Sequence, residues 1–377
     1  MISEKAHQAY QSGDLELSLQ LCEEVLQQQP DHYIICQLLP MVLFKLGRIG
    51  DAVSQMQSAV NRWHNIAEVH FSLSLMLLHK GDFARGWREY EWRLQVKGFV
   101  NPELNCRRWQ GEMIDNQTIV VFCEQGFGDC IQFARYLPLV KQRCKKLIFG
   151  SFPALTPLFE HETCFDEITE TVTQSDDYDC FTTLASLPRI FAANEANIPS
   201  VYPFLKLPQQ MILSWQAKLP TNSYKIGIAW SGRQTHENNL HRSVSLDHFL
   251  PLSKLTGVTL ISLQIHPQLE DIGPNQLIQT GAKIKSFADT ASIIKNLDLV
   301  ISVDTAIAHL ALSLNVPTWV ILPQIEEWRW VHYNGVCPWY PQVRFFQQKD
   351  RKHWKVVFDE IYQALQKDID FAFIPDG

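Results

Sequence analysis

From about residue 118 onward, short apolar runs alternate with amphipathic stretches, the pattern of βα units built around a parallel sheet. The runs predict strands over Thr118–Cys123, Leu147–Gly150 and Cys180–Thr183, then over Ile226–Trp230, Val258–Leu263, Leu299–Val303 and Thr318–Leu322. Helices are expected over 129–143, 246–254, 290–296, 305–314 and 352–366. Between the two sets, Pro199–Pro220 carries four prolines and reads as a connecting segment. The first hundred residues have a different texture. Gly13, Gly47 and Gly81 recur every 34 residues, and five positions after each stands a small residue: Ser18, Ala52 and Gly86. Ala59 lies seven residues beyond Ala52, and Pro30 closes the first copy. A glycine that ends one helix, followed by a small residue where two helices touch, is what a helical hairpin requires. The pattern therefore predicts helix pairs over 1–97 and a linker over 98–117. Beyond the linker come two α/β halves, over 118–215 and 216–377, the second closed by the helix over 352–366.

The repeat resembles the tetratricopeptide repeat, with Pro40 and His64 standing where a small residue and a proline are usual. A hairpin of this kind cannot bury its apolar face alone, so copies stack into a short superhelix with a concave surface. That surface is expected to hold a polypeptide partner, or else to serve as a packing extension of the neighbouring domain. Trp87, Tyr90 and Leu94 fall on one helical face and read as the surface that docks onto the next part of the chain.

Composition narrows the function. Of 377 residues, 46% are hydrophobic and 19% charged, which supports real cores and excludes a disordered chain. The net charge of −7 weighs against a nucleic-acid coat or a polybasic membrane binder. The first thirty residues lack a basic start followed by an apolar run, and no apolar stretch reaches the length of a membrane span, so a cytoplasmic location is expected. Nine scattered cysteines, never spaced as C-x-x-C, read as buried reduced thiols rather than as disulfides or a zinc cage.

The α/β halves imply two Rossmann-like domains facing each other across a cleft, with ligands bound beyond the carboxyl ends of the strands. Two strand-to-helix loops there carry candidate chemistry. The first runs Cys123-Glu124-Gln125-Gly126-Phe127-Gly128-Asp129 and on through Gln132. Its glycines permit a tight turn, and Asp129 opens the helix as either a cap or a group aimed into the cleft. It departs from a dinucleotide fingerprint, because Ile131 occupies the third glycine position and no acid comes after the next strand. The second loop runs Asp304-Thr305-Ala306 to His309. At that helix start the backbone N–H groups and the dipole favour a phosphate. Thr305 and His309, four apart, share a face of the first turns. A third turn, Ser231-Gly232-Arg233 and then Asn238 to Arg242 and Ser243, offers a phosphate cradle and the bidentate fork of Arg242.

The two main loops resemble those of the heptosyltransferase-like glycosyltransferases of family 9, which have the GT-B architecture. The matching residues are Gly128-Asp129 and Asp304-Thr305-Ala306 to His309, with Ala306 in place of the family's glycine. The whole chain is similar to bacterial proteins that fuse tetratricopeptide repeats to such a domain, through Gly86-Trp87-Arg88-Glu89-Tyr90-Glu91-Trp92-Arg93, Arg108-Trp109-Gln110-Gly111, Gln125-Gly126-Phe127-Gly128-Asp129 and Glu327-Trp328-Arg329-Trp330. The resemblance implies a fold of tetratricopeptide hairpins leading into a GT-B pair of Rossmann-like domains. It implies a glycosyltransferase, inverting and metal-independent, that needs no cofactor beyond its nucleotide diphosphate-sugar donor and acts on a glycan or protein acceptor. Asp129 would be the general base; Ser231, Gly232, Arg242, Asp304, Thr305, Ala306 and His309 would bind the donor. Glu124, Gln125, Gly126, Gly128, Gln132, Trp328 and Trp330 are candidate cleft residues.

Two further features stand beside these. Asp177-Tyr178-Asp179 has the D-x-D form of a metal motif but no completing ligand nearby, and reads as a turn. The aromatic group Trp328, Trp330, Trp339 and Tyr340 would suit a cleft wall that stacks a base or sugar, or packing at the domain junction. Two alternatives stay open: a non-catalytic scaffold with a degenerate GT-B domain, and a sugar-nucleotide epimerase.

Overall fold

A computed structural model describes residues 2–99, 104–173, 177–200, 204–232, 242–265, 269, 272–333, 335–350 and 353–372. The chain forms two compact units. One comprises Met1–Asn101 with Pro188–Ile198 and Ile325–Tyr333; the other comprises Pro102–Leu187, Pro199–Gln324 and Asn334–Gly377.

The first unit is a run of helices, α1 (Ile2–Ser12), α2 (Leu15–Gln28), α3 (Tyr33–Lys45), α4 (Ile49–Arg62), α5 (Ala67–Lys80) and α6 (Phe83–Tyr90), each packed on the next. The 34-residue glycine spacing has a direct cause. Gly13, Gly47 and Gly81 adopt φ of 81°, 79° and 86°, the left-handed conformation that lets the chain leave one helix and enter the next. In the first and third copies the next residue, Asp14 or Asp82, caps the following helix with its carboxylate. The small residues lie where helices meet: Ser18 is buried and its hydroxyl donates to the Ala6 carbonyl at 2.8 Å. A Cβ on Gly86 would come within 2.7 Å of Leu78. Ala52, Met56, Ala59 and Val60 form the α4 side of a core shared with Ile35, Leu38, Leu39 and Val42 of α3.

Residues 325–333 and 188–198 complete this unit. The Trp328 ring stands edge-on to Trp87, with centroids 5.3 Å apart, and lies 6.2 Å from Tyr90. The Arg329 guanidinium lies 4.1 Å over the Trp328 ring and pairs with Glu327. Tyr333 packs so tightly on Gly81 that a Cβ there would lie 2.8 Å from its hydroxyl. The Trp87 indole N–H donates to the Ala193 carbonyl at 2.9 Å, and Arg189 pairs with Glu91 at 3.4 Å. The aromatic face predicted on Trp87 and Tyr90 therefore packs against the chain's own later segments.

The second unit holds two parallel sheets. Five strands, β1 (Arg107–Arg108), β2 (Ile114–Phe122), β3 (Cys144–Gly150), β4 (Glu167–Thr169) and β5 (Cys180–Thr183), lie in the order β1-β5-β2-β3-β4. Six strands, β6 (Tyr224–Ala229), β7 (Val258–Ser262), β8 (Ile278–Gln279), β9 (Leu299–Val303), β10 (Thr318–Leu322) and β11 (Arg344–Gln347), lie in the order β11-β10-β9-β6-β7-β8. The central strands β9 and β10 are buried along their whole length, so they read as largely apolar runs, with only Ser302 and Thr318 polar. The helices that position the site are α7 (Phe127–Phe133), α8 (Phe287–Ile294) and α9 (Ala306–Ser313). The closing helix α10 (Trp354–Ala372) lays Val357, Phe358, Ile361, Leu365 and Ile369 on the core of the six-stranded sheet.

Several expectations need adjustment. The predicted 129–143 helix is broken: α7 ends at Phe133, a 3₁₀ turn covers 134–136, and a new helix spans Leu137–Lys141. Pro138 lacks the N–H that a continuous helix would use at that point. The predicted 246–254 helix is a pair of 3₁₀ turns, the second carrying Pro251. The strands β1, β4, β8 and β11 lie at sheet edges and have two to four residues each, too short to leave a periodic signal. Both β1 and the start of β2 fall inside the stretch read as a linker.

Replacing Trp328 with alanine removes a buried ring from the helical unit. It should lower unfolding stability by about 3–5 kcal/mol in urea titration. An unchanged midpoint would show that 325–333 does not belong to this unit's core.

Candidate active site

The loop after β2 is anchored by the Cys123 N–H, which donates to the Gly150 carbonyl at 2.9 Å. Glu124 comes next, buried, and Gly126 leads into α7. Asp129 is the third residue of α7 and half-buried; its carboxylate accepts the Gly126 N–H at 3.2 Å. It thus steadies its own loop while keeping part of its surface in solvent. Cys130 is fully buried, and burial pushes its thiol well above the ordinary range, so it is no nucleophile.

The loop after β9 leads into α9 through Thr305, which is extended at φ −148° and caps the helix. Its hydroxyl accepts the Ile307 N–H at 3.3 Å and lies 3.0 Å from the Ser302 hydroxyl. Ala306 begins the helix. His309 is 3% exposed, with Nδ1 2.9 Å from the Tyr340 hydroxyl.

The two loops meet. A Cβ on Gly128 would lie 2.9 Å from His309 Cδ2, 3.5 Å from its Nε2 and 3.6 Å from Ala306 Cα. Glycine at 128 thus lets the first turns of α7 and α9 approach, and His309 presents Nε2 on the α7 side.

The turn after β6 joins the α9 loop. Arg242 lies 3.9 Å from Asp304, with the two side chains 15% and 17% exposed. Its guanidinium covers Gly232, where any Cβ would collide with it. Gln264 holds the turn, its side-chain oxygen accepting the Trp230 and Ser231 N–H groups at 3.2 Å each, while its amide also meets the Ser231 hydroxyl. The structure therefore brings Ser231, Gly232, Arg242 and Asp304 into one cluster, and Gly128, Ala306 and His309 into another that shares the α9 start. Arg233 and Asn238 to His241 lie outside the described residues.

Three supports of the site escape a reading of the sequence. Gln264 belongs to no motif. Tyr340 groups with the tryptophans by sequence but with His309 in space. Arg135 is buried just beyond α7 and donates to the carbonyls of Gln132, Trp339 and Pro199 at 2.8, 2.7 and 3.3 Å. Its guanidinium also lies 4.8 Å from the Tyr340 ring centre and 5.3 Å from that of Phe204. No local pattern announces partners so far along the chain.

Other expected site residues sit differently. Trp328 and Trp330, expected as a cleft wall, are 3% and 0% exposed within the helical unit, and burial leaves no ring face to stack a ligand. Of the same aromatic group, Trp339 and Tyr340 belong to the α/β unit. Gln125 is half-buried, and Gln132 is fully buried with neither end of its carboxamide bonded to another described residue. Asp179 accepts the Thr118 N–H at 2.7 Å and so steadies the middle of β2, where its pairing with β3 is irregular. Among the described residues no group of three His, Cys, Asp or Glu side chains is placed to hold a metal ion, and no helix is long and apolar enough to cross a membrane.

No family model matches the chain. The chain is 24% identical to protein FlbA of Caulobacter vibrioides over 394 aligned positions, which take in 96% of this chain and 65% of that relative's length. Among solved structures, it is similar to a glycosyl transferase family 9 protein of Veillonella parvula, with TM-score 0.48, 11% identity, and 69% of this chain and 92% of that one covered. It is also similar to E. coli ADP-heptose lps heptosyltransferase II, with TM-score 0.48, 11% identity, and 67% and 97% covered. A Thermobaculum terrenum O-GlcNAc transferase aligns over 98% of this chain and 92% of its own, at TM-score 0.30 and 14% identity.

Because the α7–α9 approach leaves no room at Gly128, Gly128→Val should cost about 1–3 kcal/mol of stability. Gly126→Ala, whose nearest neighbour is the Asp129 carboxylate at 3.2 Å, should change the midpoint far less. Equal effects in chemical denaturation would contradict the packing account.

Proposed function

We propose that this chain is a glycosyltransferase that moves a sugar from a nucleotide diphosphate-sugar to a glycan or protein acceptor, with inversion and without a metal. The observation that carries the reading is the convergence of the Gly128-Asp129 and Asp304-Thr305 helix starts, with Arg242 beside the second. A half-buried carboxylate at a helix start can take the proton of an attacking hydroxyl. A helix N-terminus with a guanidinium beside it can stabilise the charge that grows on a departing diphosphate. The resemblance of these loops to those of family 9 supports the same assignment.

In this reading the donor diphosphate lies against Ser231, Gly232 and Arg242 and the α9 start at Thr305 and Ala306. Asp304 holds the guanidinium over Gly232 and offsets its charge before the donor binds. The contact of His309 Nδ1 with the Tyr340 hydroxyl fixes the ring so that its Nε2 faces the α7 side of the site. The acceptor hydroxyl lies at Asp129, which removes its proton as the oxygen attacks the anomeric carbon and the bond to the diphosphate breaks. The helix pairs, read as tetratricopeptide repeats, hold the acceptor or a protein partner through α1 to α4, since α5 and α6 pack against residues 325–333.

Calorimetric titration with ADP, GDP, UDP and dTDP tests the donor site. One nucleotide should bind selectively, and Arg242→Ala should weaken it by roughly 10- to 100-fold, the equivalent of a lost charged hydrogen bond. Binding of none by folded protein would favour a scaffold instead.

A further inference from the structure

We propose that Tyr340, backed by the buried cation of Arg135, sets which ring nitrogen of His309 carries the proton. The tautomer stands on packing alone, whereas its part in catalysis rests on the transferase reading above. Three contacts carry the inference. His309 Nδ1 lies 2.9 Å from the Tyr340 hydroxyl, and both side chains are buried. The Arg135 guanidinium carbon lies over the Tyr340 ring, 4.8 Å from its centre. Arg135 is buried too, its Nε donating to the Gln132 carbonyl at 2.8 Å and its Nη1 to the Trp339 carbonyl at 2.7 Å. Trp339 directly precedes Tyr340, so the cation and the ring it faces are fixed to one another. The contacts close a circuit: from Gly128 at the start of α7 to His309, then Tyr340 and Arg135, and back to Gln132 near the end of α7.

A neutral imidazole has one donor nitrogen and one acceptor, and a phenol can play either part, so the Nδ1 contact alone leaves two arrangements. The cation chooses between them. A positive charge on the face of a phenol draws electron density from the ring and from its oxygen. The O–H becomes the stronger donor and the oxygen the weaker acceptor, and a buried setting enlarges both effects. The Tyr340 hydroxyl therefore donates to Nδ1, and the imidazole keeps its proton on Nε2, because the bond that one ring nitrogen makes decides the state of the other. That nitrogen faces α7, where a Cβ on Gly128 would lie 3.5 Å from it. Arg135 and Tyr340 are positioning residues in this scheme, since both act on the site through His309. In the transferase reading the Nε2–H is one of the donors that meet the departing diphosphate, beside Thr305 and Arg242.

Long-range nitrogen–proton NMR on the full chain, with labelled histidine ring nitrogens, reads the tautomer directly, and His309→Asn assigns the two resonances. In the wild type Nδ1 should resonate at the unprotonated end of the imidazole range and Nε2 at the protonated end. Tyr340→Phe removes one oxygen and keeps the ring, so both resonances should move toward the mean that exchanging tautomers give. Arg135→Lys keeps the charge and should keep the wild-type pattern. Arg135→Gln keeps an N–H for the carbonyls without the charge and should shift the pattern in the direction of Tyr340→Phe. A proton on Nδ1 in the wild type, with or without one on Nε2, overturns the proposal, as does an unchanged spectrum in Tyr340→Phe. An unchanged spectrum in Arg135→Gln overturns the part given to the cation. The expected tautomer in a protein that binds no ADP would uphold the proposal and sink the donor site instead.

Discussion

The α/β unit depends on one close approach: the first turns of α7 and α9 meet at Gly128, against Ala306 and His309. Each turn lies beyond the carboxyl end of a buried strand, one in each sheet, so the contact joins the two sheets where their strand ends carry polar groups. A side chain at 128 would push His309 away from α7 and strain its bond to Tyr340. Arg135 reinforces the same junction from behind, since its bonds to Trp339 and Pro199 pull two distant stretches of chain onto the end of α7. A buried guanidinium whose Nε and Nη1 donate to carbonyls, with its face on aromatic rings, depends on each of those contacts being made.

Around that junction the charges are arranged by proximity rather than by burial. Arg242 and Asp304 are each partly exposed and loosely paired, which keeps the cation in place while leaving its donors able to turn to an anion. Asp129 is tied to its own loop by a backbone bond and keeps part of its surface in solvent. The cysteines at 130 and 337 play no part in this chemistry: burial raises both thiols, the latter to about 11.

The central strands and the helix pairs are legible in the sequence because each leaves a local signature. Gly13, Gly47 and Gly81 recur because each helix exit needs positive φ, and β9 and β10 read as largely apolar runs, broken only by Ser302 and Thr318, because both faces are covered. The edge strands β4 and β8 are not legible, since two or three residues carry no period. Apolar spacing extends the expected 129–143 helix through Pro138, where the chain instead turns and restarts. Glycines and acids at strand ends give away the two site loops, but not their mutual distance. Trp328 and Trp330 mislead for the same reason: their position after β10 suggests the α/β unit, and nothing local reveals that 325–333 packs with α5 and α6. Gln264 and Arg135 act through partners tens to hundreds of residues away, which spacing alone cannot disclose.

Proton removal by Asp129 beside a donor held by the α9 loop is the step on which the proposed chemistry rests. Its most direct test compares wild type with Asp129→Asn for nucleotide affinity and for release of nucleoside diphosphate from ADP-, GDP-, UDP- and dTDP-sugars. Affinity should be equal, and turnover should fall by about 10² to 10⁴, the range for a removed general base. Full turnover in the variant would contradict that role for Asp129.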